Sequence, residues 1–453
     1  MLSRIVGRSV LHFSSLPLTP VLHVLSNRKR GFPKGGDAAP CRFSKNLRSA
    51  PWKVFPPLAL GLLVLCAPAC SGDKGTGPQN GEQPGHFQFT RDPSTGPVVS
   101  SGTAGWPIFP SDPAVVKDAE GYHLFYTTYF CKAHGTYYYS WDAGNLSACN
   151  ITDVATGTGY AFSSDKGYTW EFRGSPVLLP GDEPWQRGDI ETPHVAVLGD
   201  TLYLFYSAWG EYQGKPFPHR FQVGVATLNL NGKTIRQRLL EDLAEFTSRP
   251  GPLLPYNVTT TSFDNNTQEP SVVIRDGLLE LFYVGVSFTL PDQHADAPGQ
   301  SIQSVGMAKA VFRPNLQLVS QSTGYVLENA NITEVKYFDG AYRCFSTTLE
   351  QDGGEFHHNE KINYFRSADG VDWSDSEVLL RPETAFDDWG MMAPTVVVED
   401  NEVVMFYSGW GIEDHVCFPE PFRSDIRFGY PTADDRCIYG SVGRAVAARP
   451  AIK

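Results

Sequence analysis

Three acidic residues stand at the starts of predicted strands: Asp112 before Pro113, Glu269 before Pro270, and Glu191 two residues before Pro193. Gathered around one opening, such carboxylates can act as a pair. One is protonated and gives its proton to a leaving oxygen, while the other is ionised and activates water or attacks carbon; this is the chemistry of acetal cleavage. Crowding and burial push the pKa values of such groups apart and so supply both states. The same acids have a plainer use, capping neighbouring strands through backbone amides or holding a cation. Asp189, His194 and Glu334 follow the same pattern and, with Trp185 and Trp209, are candidate substrate contacts. Aromatic faces stack on sugar rings, although Trp in an all-β chain more often fills core.

What could bring these residues together is an internal repeat. Phe125, Phe205, Phe282, Phe345 and Phe406 each follow an apolar residue, and successive ones lie 80, 77, 63 and 61 residues apart. A strand begins thirteen residues before each, with Pro in four of the five: Asp112-Pro113, Thr192-Pro193, Glu269-Pro270, Ile332-Thr333 and Ala393-Pro394. A polar turn such as Asp276-Gly277 or Asp339-Gly340 separates strand from Phe, as a two-strand hairpin requires. A third strand follows in each unit, for example Val223-Gly224-Val225-Ala226. The spacing predicts an all-β, five-bladed β-propeller of four-stranded antiparallel blades. The fifth unit lacks a fourth strand, so Gly96-Pro97-Val98-Val99 is expected to complete it and close the ring. In a propeller the innermost strands start at one face of a central channel, which would set Asp112, Glu191 and Glu269 at its mouth. A calcium ion in that channel is compatible with the acids; no cofactor is required. Ser163 to Trp170 and Ser367 to Trp373 read as Asp-box turns, in which Asp accepts backbone bonds and Trp packs between sheets.

The first 53 residues hold ten basic side chains and one acid, Asp37. Since the whole chain carries −12, the remainder carries −21, which disfavours nucleic acid and anionic polysaccharide as partners and suits a neutral glycan. An apolar stretch from Val54 to Ala69 reads as the core of a signal peptide. It ends Ala67-Pro68-Ala69-Cys70-Ser71-Gly72, which resembles a bacterial lipoprotein signal with Cys70 as the lipidated residue. Residues 1–70 are thus expected to be leader and signal, 71–95 a flexible polar linker and 96–453 the propeller. The protein is expected at the cell surface or in the periplasm, touching membrane only through that lipid. Of eight cysteines, Cys131 is expected to pair with Cys149 and Cys417 with Cys437, while Cys344 sits at a core position of the repeat. No cysteine spacing suggests zinc.

Asp112-Pro113-Ala114-Val115-Val116 followed by Gly121-Tyr122-His123-Leu124-Phe125-Tyr126 resembles the first blade of glycoside hydrolase family 43 and of its five-bladed relatives in families 32, 68 and 117. The resemblance runs from about Gly96 to Ala447 and is one of superfamily. It implies that Asp112 is the general base or nucleophile. Where those families carry a second Asp-Pro in the third blade this chain has Glu269-Pro270, and their Glu-x-Pro form stands here in the second blade as Glu191-Thr192-Pro193. The fourth unit has Asn331-Ile332-Thr333, with Glu334 displaced along the strand. The proton donor is therefore Glu191, Glu269 or Glu334. Two functions follow as expectations: hydrolysis of a neutral oligo- or polysaccharide, or carbohydrate binding without cleavage by a propeller that has lost its fourth-blade acid.

Overall fold

Each predicted hairpin forms because its Phe is driven inward. Phe125, Phe205, Phe282, Phe345 and Phe406 are all fully buried, and burying one such side chain contributes about 2–3 kcal/mol. The computed structural model describes residues 87–93, 96–100, 110–133, 136–138, 154–210, 220–259, 262–290, 301–352, 355–358, 361–388, 390–413 and 437–449. Its five antiparallel sheets start from inner strands Ser111–Lys117, Asp189–Leu198, Asn266–Arg275, Ala330–Phe338 and Gly390–Val398. These head blades I to V. Each inner strand lies against the next, and the fifth against the first, so the sheets form a five-bladed propeller. Helix among the described residues is confined to short stretches, Pro184–Gln186 and Gln237–Glu241.

Second strands such as Thr201–Trp209 return to the face at which the inner strands begin. In four blades a Tyr follows the Phe, and in three of these a third-strand glycine lies against its ring. A Cβ on Gly159, Gly224 or Gly443 would come within 2.5 Å of Tyr126, Tyr206 or Tyr407. The Asp-box turns are structural as expected. Asp165 accepts the amides of Tyr168 and Thr169, and Trp170 packs on Phe406 at 5.7 Å between centroids. Asp369 and Trp373 repeat the arrangement on Phe282.

The ring closes as the repeats predict, with Val99 paired to Val442 and Ser100 to Ser441 in blade V. Pairing begins earlier than the glycine-rich composition suggested. Thr90 pairs with Val446 and Arg91 with Ala445, so residues assigned to the 71–95 linker belong to the last sheet. The reason is apolar: Phe87 and Phe89 are buried among Phe345, Tyr364 and Phe338 of blade IV. Behind them the buried Arg91 guanidinium meets the buried carboxylate of Asp387 at 2.9 and 3.0 Å and donates to the Arg381 carbonyl. Asp387 also accepts the amides of Glu383 and Thr384 and the hydroxyl of Tyr407.

Cys344 is a buried free thiol, its pKa pushed up by burial. Cys149 and Cys417 lie outside the described residues, as do the side chains of Cys131 and Cys437, and with them both expected disulfides.

Candidate functional site

All five inner strands are bulged at the mouth, each through a shift in register against its second strand. The bulge residues are Asp112, Thr192, Glu269, Ile332 and Ala393. Every one is left-handed, with φ of 47°, 49°, 53°, 47° and 49°. That conformation costs a side-chain-bearing residue about 1–2 kcal/mol. Repeated five times around one opening, it turns the bulge residues toward the channel. They and the residues that follow them line a cavity of about 30 Å3, which also admits His194, Thr333 and Glu334. A space of that size holds one or two waters and is too small for a sugar ring. A ring would have to rest above it, level with Ser111, Glu191, Gln268, Asn331 and Met392, the residues preceding each bulge residue.

Asp112 and Glu269 both line this cavity, whereas Glu191, expected beside them, does not. Burial raises the pKa of Asp112, against hydrogen bonds from Thr127 and Ser111 that favour its ionised form. Glu269 is buried more deeply, and its carboxyl is pushed up to about 7, chiefly by desolvation with a further push from the charge of Asp112. The charge of Asp112 thus bears on Glu269, which is pushed toward holding a proton near neutrality. Both Glu269 oxygens also accept hydrogen bonds, Oε1 from the Gln268 amide at 2.8 Å and Oε2 from the Ile332 N–H at 2.6 Å.

Glu334 lies deeper and is differently employed. Its Oε2 meets His194 Nε2 at 2.8 Å and its Oε1 meets Lys336 Nζ at 2.5 Å. Burial alone would raise its pKa, but Lys336 and His194 outweigh that and hold it below the usual range. His194 accepts the Val272 N–H on Nδ1 at 3.2 Å, so its proton is on Nε2 and points at Glu334. Both ring nitrogens are thereby occupied, in a strut across the channel.

The remaining candidates separate. Glu191 is half-buried at the mouth, opposite Ser207. Asp189 is buried and accepts both the amide and the hydroxyl of Thr156 at 2.6 and 2.9 Å, which ties blade II to the third strand of blade I rather than facing the cavity. Trp185, in the short helix Pro184–Gln186, is stacked on Tyr206 inside the core, and Trp209, at the end of its strand, is buried against Gly188. Lys336 and three rim hydroxyls, Thr127, Ser207 and Ser408, were missed from sequence. The available signal was position: each of these hydroxyls stands two residues after a repeat Phe.

A calcium ion in the channel finds a poor fit. Glu334 is already met by an ammonium, and both oxygens of Glu269 are engaged by N–H donors. Among the described residues no three His, Cys, Asp or Glu side chains group as a metal would need.

No family model and no curated protein matches the sequence. Solved structures do match in fold. BT0996, solved as an RGII complex, aligns at 13% identity and a TM-score of 0.51 over 79% of this protein and 94% of its own length. Zg3597, a family 117 glycoside hydrolase of the marine bacterium Zobellia galactanivorans, aligns at 16% identity and 0.48 over 80% and 90%. A GH43_1 enzyme from Xanthomonas citri aligns at 14% and 0.43 over 77% and 89%. The five-bladed ring is the fold this chain shares with BT0996.

Proposed function

We propose that the chain is a glycoside hydrolase acting on a neutral oligo- or polysaccharide at the propeller mouth. The observation that carries this is the placing of acids at the same strained bulge position in two blades. Asp112 and Glu269 open into one cavity, and one of them is pushed up to about 7. Glu269 would give its proton to the glycosidic oxygen as the bond to the anomeric carbon breaks. Asp112 would accept a proton from the attacking water, or attack the carbon itself. Glu191, half-buried at the rim, suits contacts to sugar hydroxyls. Glu334 is left out of proton transfer because His194 and Lys336 hold it ionised.

A second reading, carbohydrate binding without cleavage, is favoured by one observation: both Glu269 oxygens already serve as acceptors, and blade IV places Ile332 where an acid would be needed. Screening the wild type against nitrophenyl glycosides and plant polysaccharides separates the two. Hydrolysis is expected, with kcat/KM falling as pH rises through about 7 when Glu269 loses its proton. Glycan binding with no product on any substrate would favour the second reading.

The basic leader, apolar core and Cys70 support a further part of the proposal, export and lipid attachment at Cys70. Labelling with radioactive palmitate in a bacterial host is expected to mark the wild type and not Cys70→Ser. Equal labelling of both would remove the anchor from the proposal.

A further inference from the structure

Register fixes which residue faces each inner-strand bulge: Thr127 faces Ser111, Ser207 faces Glu191, Val284 faces Gln268, Thr347 faces Asn331 and Ser408 faces Met392. Four of the five carry hydroxyls, and three of those make the same bond. Ser408 Oγ accepts the N–H of Asp112 at 2.8 Å, Thr127 Oγ1 that of Thr192 at 2.9 Å, and Ser207 Oγ that of Glu269 at 2.7 Å. In each case the hydroxyl of one blade holds the left-handed residue of the next, satisfying an amide that burial would otherwise leave unpaired. Between blades IV and V the bond is not made, and Thr347 Oγ1 is buried without a hydrogen-bond partner.

Blade III breaks the pattern differently. Val284 is fully buried and has no hydroxyl to offer, and there the Ile332 N–H is taken by Glu269 Oε2. We infer that Glu269 is a positioning residue for blade IV, its carboxyl group standing in for the hydroxyl that Val284 lacks. The strut rests on geometry and holds whether or not Glu269 also donates a proton to substrate; only that second job rests on the proposed function. If both are right, the acid that serves the substrate also anchors the neighbouring wall of the mouth.

Restoring the missing hydroxyl tests this. Val284→Thr keeps the shape of the side chain and offers an oxygen where the other blades have one. It is combined with Glu269→Gln, whose carbonyl still accepts the Ile332 N–H, and with Glu269→Ala, which accepts nothing. Both variants are neutral at position 269, so melting at pH 5.5 compares hydrogen bonding without a difference in charge. Glu269→Ala is expected to melt about 3–6 °C below Glu269→Gln. Val284→Thr should recover at least half of that in the Ala background and nothing in the Gln background. Amide exchange at Ile332, faster by about tenfold or more in Glu269→Ala, should slow again in the double variant. Should Glu269→Ala fail to fold alone, folding of the double variant is the same result in stronger form, and failure of both overturns the strut. Equal effects of Val284→Thr in the two backgrounds, or unchanged exchange at Ile332, also overturn it. Hydrolysis separates the second job: stability recovered without activity keeps both roles, whereas activity retained by Glu269→Ala removes the proton-donor role and leaves the strut standing.

Discussion

Asp112→Asn is expected to lower kcat/KM on any glycoside the protein cleaves by about 10^3-fold or more, with Tm unchanged or slightly raised. The amide keeps the shape of the carboxylate and can still accept from Thr127, whose own oxygen takes the Thr192 N–H. Asn also tolerates a left-handed φ as Asp does, so the bulge at 47° survives. What disappears is the charge. A neutral amide neither takes a proton from water nor attacks carbon, and its proximity no longer opposes ionisation of Glu269. Relief of that repulsion is the reason stability should hold or rise. Steady-state kinetics beside a thermal melt decide the matter. A variant with unchanged kcat/KM would remove Asp112 from the chemistry, and one that loses both activity and fold would make it a structural acid.

A comparably large effect, on stability alone, is expected at the far end of blade V. Asp387→Ala should cost about 3–5 kcal/mol, seen as a fall in Tm of roughly 5–10 °C. The Arg91 side chain is 7% exposed and that of Asp387 0%. Removing the carboxylate therefore leaves a buried guanidinium with only the exposed Glu383 carboxylate and the Arg381 carbonyl, and strands the amides of Glu383 and Thr384. Asp387→Asn should fall between, since it can accept an amide but cannot balance the charge. Denaturant unfolding is the check, and a loss below about 1 kcal/mol would show that Glu383 and the Arg381 carbonyl suffice to hold Arg91. Because Arg91 belongs to the closing strand, its loss should loosen Phe87 and Phe89 from blade IV as well. Proteolysis near residue 87 would report that.

The ring was legible because its signal is large and periodic. A buried Phe at a fixed place in each hairpin survives differences in loop length, and Val98-Val99 could be assigned to blade V by counting strands. The bulges were not legible. A residue before proline is biased toward extended conformations, so nothing local predicts a φ near +50° at Asp112, Thr192 or Glu269. The cause lies in the neighbouring blade, in hydroxyls such as Ser408, remote from Asp112 in sequence. Trp185 and Asp189, expected as substrate contacts, lie off the cavity lining for a related reason. Their distance from the mouth along the chain is small, but which side chains face the channel and which the adjoining blade is set by packing. His194 lines the channel, and its tautomer depends on a Val272 amide that no sequence pattern marks.

Closing the ring with strands from both ends of the propeller also imposes an order in time. Val99 is made well before its partner Val442, which follows about 340 residues later. At about 5–20 residues per second, a ribosome takes roughly 20–70 s to deliver it. Until then the closing strands Thr90–Arg91 and Val99–Ser100 have no partner to pair with, and blade V is incomplete. A nascent chain that stalls or is cut short in the last blade is thus left with an open edge at each end of an unfinished arc, ready to pair with another chain. For this protein the final dozen residues of the propeller act as a checkpoint on synthesis: only a finished ring can hide its own first strand.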